Sequence, residues 1–142
     1  MARGFIAAFA DALRDELLAD SGVTGAGVTR VFPPGTVKNP GFPYITYAFI
    51  TDSPRHGLGF NDPAYRMLRF QVDGYAETWT EAATTLDAVV TCLDGATLTV
   101  TGWGVPRLEG EGSVIVNEEV EGIPVYRSIS RYKAVLAGTN VT

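Results

Sequence analysis

The chain has 142 residues, 46% of them hydrophobic and 19% charged, and its 11 basic against 16 acidic side chains leave a formal net charge of −5. That length buries a core without disulfides or metal, so one domain over residues 1–142 is expected and general disorder is excluded. The acidic balance excludes tight non-specific binding of DNA or RNA, which needs a basic face.

Residues 3 to 20 read as an amphipathic helix. Phe5, Ile6, Phe9, Leu13 and Leu17 share one face of a 3.6-residue repeat, with Asp11, Arg14, Asp15 and Glu16 mostly opposite. Arg3 and the short apolar run up to Ala10 fall short of a secretory leader, and no run reaches the roughly eighteen apolar residues of a membrane span. The chain is therefore expected to be cytosolic when made, with no membrane association. Ser21-Gly22 ends the helix, and Gly22 to Gly27 reads as a loop. Val28 to Phe32 is a short strand, stopped by Pro33-Pro34-Gly35. Four prolines and two glycines between residues 33 and 43 leave an extended loop. Tyr44 to Thr51, β-branched and aromatic throughout, is a strand with two apolar faces.

Asp52 to Pro63 reads as a second long loop, and residues 64 to 75 as the next strand. There Leu68, Phe70 and Val72 point one way and Arg69, Gln71 and Asp73 the other. Thr78 and Glu81 form a capping box, the hydroxyl taking the Glu81 N–H and the carboxylate reaching back to Thr78. The helix that follows, over 79–93, carries Ala82, Leu86, Val89, Val90 and Leu93 as its buried stripe. Thr97 to Thr101, Val105 to Leu108, Ser113 to Asn117 and Ile123 to Leu136 are further strand candidates, the last with Arg127, Arg131 and Lys133 on one face and Tyr126, Tyr132 and Leu136 on the other. Residues 138 to 142 read as a frayed tail. The class is α+β: two helices packed on a mostly antiparallel sheet, in the order α-β-β-β-α-β-β-β.

Reactive chemistry is sparse. One cysteine and one histidine fall short of the four ligands of a structural zinc site, and no cofactor is expected. Ser53 stands three residues before His56 with nothing to hold the two together, and Gly110-Glu111-Gly112-Ser113 only superficially resembles a nucleophile elbow. Cys92, beside Leu93 on a helix flank, reads as a small core residue. Glu109, Glu111, Glu118, Glu119 and Glu121 cluster without calcium-loop spacing; such short like-charge runs usually form a solvated rim.

Several stretches together carry a resemblance. Phe42-Pro43-Tyr44-Ile45-Thr46-Tyr47, the loop with Arg55-His56, Leu68-Arg69-Phe70-Gln71-Val72-Asp73-Gly74-Tyr75-Ala76, the helix from Thr78 to Leu93-Asp94-Gly95 and the strand Val125-Tyr126-Arg127-Ser128-Ile129-Ser130 run in the same succession as in a known family. The chain resembles the tail completion, or tail terminator, proteins of long-tailed bacteriophages and phage-derived particles. The likeness spans nearly all of the chain and is weakest over residues 96 to 122. It rests on structural rather than catalytic motifs.

The resemblance implies a virion structural protein without enzymatic activity. It implies a homo-oligomeric ring, expected to be a hexamer, that caps the tail tube, stops its growth and meets a head-completion or neck protein at the head–tail joint. DNA passes through such a ring without specific binding. The expected location is the virion, reached from the host cytoplasm. Head-to-tail contacts between copies close into a ring when the rotation allows, and an acidic bore keeps DNA at a distance. Glu109, Glu111, Glu118, Glu119 and Glu121 are then candidates for the bore or its rim. Arg55, His56, Leu58, Phe60 and Asn61 in the long loop are candidates for contact with the tail tube or a neighbouring subunit, against the alternative of a loop folded over its own sheet. Trp79 and Trp103 read first as core residues and second as interface anchors, and Arg69 with Asp73 as a solvated or an intersubunit pair. Two other functions stay open: a head-completion or neck adaptor, and a small α+β hydrolase or ligand-binding domain using His56.

Overall fold

The structure, a computed structural model, describes residues 5–28, 30–33, 41–55, 65–100, 106–120 and 122–137. Helix α1 (Phe5–Ala19) forms where the 3.6-residue pattern places it, with Phe9, Leu13 and Leu17 fully buried. A short helix α2 (Ser21–Gly25) follows directly, within the stretch expected to be a loop. Its nucleus is Asp20, whose Oδ1 accepts the N–H groups of Gly22 (2.9 Å) and Val23 (3.0 Å), and buried Val23 anchors the turn.

Among the described residues the sheet has five strands in the order β1-β2-β3-β5-β4: β1 Val31–Phe32, β2 Tyr44–Arg55, β3 Tyr65–Ala76, β4 Arg107–Val120 and β5 Ile123–Ala137. Strand β1 runs parallel to β2 and every other pair is antiparallel. The α+β class and the mostly antiparallel sheet hold, while the elements divide differently. Asp52 to Arg55 belong to β2 rather than to a loop, paired opposite Leu68 to Tyr65. Pro54 is tolerated because, among the described residues, β1 covers only Ile45 and Thr46 and leaves that end of β2 at the sheet edge. Residues 107 to 120 form one continuous strand where two were expected. The glycines between are absorbed by a bulge at Gly110/Gly112, where Gly112 takes φ +123°. Between Thr97 and Val100 the described residues show isolated bridge positions rather than a strand, at Thr97, which pairs with Arg107, and at Val100.

Helix α3 (Trp79–Leu93) starts at Thr78, whose Oγ1 accepts the Glu81 N–H at 3.1 Å. The return bond of the expected box goes one residue further out: the Glu81 carboxylate accepts from the N–H of Glu77 (3.2 Å), not Thr78. Ala82, Thr85, Val89, Cys92 and Leu93 make its buried stripe, with Leu86 and Val90 half-buried. Trp79 is 58% exposed rather than core. Helical side chains lean toward the N-terminus, and a first-turn residue has no preceding turn to lean on.

Both long helices cover the same face of the sheet. The core centres on Phe70, edge-on to Phe9 (5.2 Å between centroids) and stacked with Tyr132 across the β3–β5 pair (5.4 Å). Ser128 and Ser130 are buried on this face and donate to the carbonyls of Gly74 (3.4 Å) and Val72 (3.2 Å). Gly74 is where α3 comes nearest: a Cβ there would lie 2.7 Å from Ser128 Oγ and 3.0 Å from Thr85 Cγ2. Gly74→Ala should therefore destabilise the fold by about 1–3 kcal/mol, since overpacking exceeds the roughly 0.4–1 kcal/mol gained in the unfolded chain. Urea denaturation with an unchanged m-value measures it.

Candidate functional site

The sheet face turned away from the helices is built from the alternate residues of β3, β5 and β4. Strand alternation places Arg69, Gln71, Asp73 and Tyr75 there from β3, and Arg127, Ile129, Arg131 and Lys133 from β5. From β4 come Glu109, Gly112, Val114, Val116 and Glu118, with bulge residue Glu111 beside them. These side chains join across the strands. Arg127 Nη2 bonds Asp73 Oδ2 at 2.7 Å and its Nη1 bonds Glu118 Oε1 at 3.0 Å, so one guanidinium links three strands. Gln71 Nε2 donates to both Asp73 oxygens (2.9 and 3.1 Å), and Arg131 Nε donates to Gln71 Oε1 (3.2 Å). Arg69 meets Glu111 at 3.2 Å and Lys133 meets Glu109 at 3.3 Å. The Tyr75 ring lies 5.8 Å from the Arg127 guanidinium and stacks on Tyr44 at 4.8 Å.

These contacts differ in worth. Asp73 is buried, so its link to Arg127 is made largely out of water, whereas the Arg69 and Lys133 pairs are exposed and contribute little. Burial works against the Arg127 charge, but hydrogen bonds to Asp73 and Glu118 outweigh it and raise its pKa above the ordinary arginine value. Its Nε is buried without a hydrogen-bond partner. Arg69 and Asp73, read from sequence as one pair, each bond elsewhere, because the partners lie across strands in a register the sequence does not display.

The expected acidic cluster is accordingly divided. Glu109, Glu111 and Glu118 are ion-paired, Glu119 is exposed and pairs with no described residue, and Glu121 lies outside the described residues. The excess negative charge falls instead on the helical layer. Over residues 5–28 and 77–96, Asp11, Asp15, Glu16, Asp20, Glu77, Glu81, Asp87 and Asp94 stand against Arg14 alone. Of the expected contact loop, Arg55 is the last residue of β2. His56, Leu58, Phe60 and Asn61 lie outside the described residues, as does Trp103.

Two clefts flank the β4 bulge, one on each face of the sheet. One, of about 170 Å³, lies on the helix side among Val90, Asp94, Gly110, Ser113 and Tyr132. The other, of about 250 Å³, opens on the charged face among Glu111, Gly112, Val114, Ile129 and Arg131. The Tyr132 hydroxyl is buried, finds no hydrogen-bond partner among the described residues, and is pushed up to about 12 by burial. Cys92 is buried under α1, its Sγ 3.9 Å from the Glu16 carbonyl. Burial, with Asp20 and Glu16 nearby, raises its thiol from 9.0 to about 12. Among the described residues no group of three or more His, Cys, Asp and Glu is placed to hold a metal ion, and no helix is long and apolar enough to cross a membrane.

Over residues 11–137 the sequence matches the family described as Tail completion protein gp17. A chain in a solved structure described as "Virion of native gene transfer agent (GTA) particle" has the same fold. Its TM-score is 0.74 at 18% identity, over 96% of this chain and 100% of that one. No curated protein matches.

Two outcomes follow from the geometry. Arg127→Met, which strands the buried Asp73 carboxylate, should cost about 3–5 kcal/mol, and adding Asp73→Asn should recover part of it, as a double-mutant cycle by urea denaturation would show. The Cys92 thiol should resist a thiol reagent at pH 8 in the native protein and react at once in guanidinium. Because its folded pKa is raised above the ordinary 9.0, the neutral thiol's stabilisation is whole below pH 9 and declines as pH rises from there toward 12, which melting curves of wild type and Cys92→Ala compare.

Proposed function

The chain belongs to the tail completion protein family, structural proteins of the bacteriophage tail, and on that premise we propose that it is a tail terminator. In this reading copies assemble into a ring on the end of the tail tube, stop its growth and offer the surface that the head-side neck protein meets. The observation that carries the proposal is the family match over residues 11–137, nearly the whole domain. The architecture supports it. A ring subunit needs contact surfaces on different sides, and exposed Ile50, Trp79, Val114 and Ile123 stand on separate elements of the domain. The role is one of assembly and surface complementarity, without catalysis.

DNA leaving the head would pass through this ring. The helical layer, with eight carboxylates against one guanidinium, is the part of the described surface best suited to keep a polyanion at a distance, joined by the exposed Glu119. Glu109, Glu111 and Glu118 would contribute less at the bore or rim, since each is bonded to a cation. Arg55, at the end of β2, and His56, Leu58, Phe60 and Asn61 after it remain the proposed contact with the tube or a neighbouring subunit.

Six copies of a 15.2 kDa chain amount to about 91 kDa. Light scattering and negative-stain images of the purified protein, alone and with isolated tail tubes, should show a ring of about that mass free or on tube tips. A monomer that ignores tube tips and binds neck-side partners instead would assign the chain to the neck.

A further inference from the structure

The two edges of the sheet differ. At the β1 edge the strand has two residues, the Val31 carbonyl accepts from Arg14 Nε at 3.2 Å, and Pro33 follows. There β1 is short and capped by a side chain of α1, and the stretch of β2 past Thr46 that it leaves uncovered is bulged at Phe49/Thr51 and carries Pro54. At the other edge β4 runs for fourteen residues. Its first part is covered: the Leu108 N–H donates to the Ala96 carbonyl (2.8 Å), the Leu108 carbonyl accepts from Gly95 (2.9 Å), and the Gly110 N–H donates to Asp94 Oδ1 (2.9 Å). Beyond Gly110 no described residue bonds the outer side of the strand.

The ladder fixes which groups are left. Leu108 and Gly110 turn their N–H groups away from β5, so Glu109 faces β5 opposite Lys133. Past the bulge, Gly112, Val114, Val116 and Glu118 stand opposite odd-numbered β5 residues and bond inward. Ser113, Ile115, Asn117 and Glu119 therefore turn both backbone groups outward. From Gly112 to Asn117 the strand carries no charge, and its centre is Val114-Ile115-Val116, with Val114 51% exposed. Edges of this kind are ordinarily blunted by lysine, proline or a covering loop. The two clefts beside Gly112 lie on opposite faces of the sheet at the start of this free edge. They match what an added strand presents, since its successive side chains point to opposite faces.

We propose that the outer edge of β4, from Glu111 to Val120, is a strand-addition site that receives an extended segment of a different polypeptide. The segment's β-branched or small residues fill the two clefts, and a lysine or arginine faces the exposed Glu119. This chain's other edge is a poor partner, because Arg14 caps β1 and β2 past Thr46 is broken by a bulge at Phe49/Thr51 and by Pro54, which has no N–H to give. A second copy of β4 suits it poorly, because two-fold pairing centred on Ile115 sets Glu111 opposite Glu119 at both ends. This deepens the tail reading, on which it rests for the partner's identity: a neighbouring protein of the assembled tail.

Ile115→Pro tests the edge cleanly. It removes an outward N–H that the β4–β5 pairing does not use, and edge positions tolerate proline. Ile115→Thr, which keeps the N–H, is the control. Both variants should melt close to the wild type. When tails lacking this protein are completed in vitro, Ile115→Pro should join them at least about tenfold less than wild type and Ile115→Thr should match it. Equal incorporation of the proline variant overturns the proposal. Should wild type itself not join tails, the tail role falls and the edge is decided by a probe, a seven-residue peptide of alternating valine and threonine with a lysine at each end. At millimolar concentration it should slow hydrogen exchange of the Ser113, Asn117 and Glu119 amides in wild type and not in Ile115→Pro. No slowing overturns the site, whatever the tail result. A wild-type dimer that Ile115→Pro dissolves would seat a second copy there and overturn the assigned partner.

Discussion

Both long helices lie on one face of the sheet, and the rest of the molecule follows from that. The covered face is packed from apolar rings and small side chains: Phe70 between Phe9 and Tyr132, and Gly74 where α3 comes down on β3. The uncovered face has no helix to bury it, yet Asp73 and Thr46 on it are nearly inaccessible to solvent. It meets that condition by joining its own charges, with Arg127 spanning from Glu118 on β4 to Asp73 on β3. Neither carboxylate nor guanidinium is left buried alone, the arrangement in which a desolvated ion is least costly.

This division sets where interaction is possible. A self-neutralised face offers little long-range field, so steering and repulsion fall to the acidic helical layer. Directional bonding falls to the sheet rim, where backbone groups face outward. Asp94 ties the two regions together, because its backbone N–H closes α3 on the Val90 carbonyl and its carboxylate takes the Gly110 N–H. The end of α3 and the last covered residue of β4 thus meet at one residue.

Much of the covered face was legible in the sequence. The 3.6-residue spacing of Phe9, Leu13 and Leu17 and the two-residue alternation of Leu68, Phe70 and Val72 are local signals, and local burial reproduces them. The charged face was half legible. Alternation puts Arg69, Gln71 and Asp73 on one side, but whom each bonds depends on register with distant chain segments, 54 residues away for Asp73 and Arg127. The continuity of β4 was hidden because Gly110 and Gly112 read as breaks, while a bulge with one positive φ carries the strand through. The covering of its first residues by Gly95 and Ala96 carries no sequence signal, being made by backbone atoms. Helix α2 was missed because glycines at both ends outweighed the cap that Asp20 provides.

The Arg14 guanidinium on the Val31 carbonyl has a consequence of its own. With β1 capped there, and β2 bulged and carrying Pro54 beyond Thr46, that rim is blunted, so pairing edge to edge ends once β4 has taken its strand, whereas a sheet receptive at both rims can stack without limit.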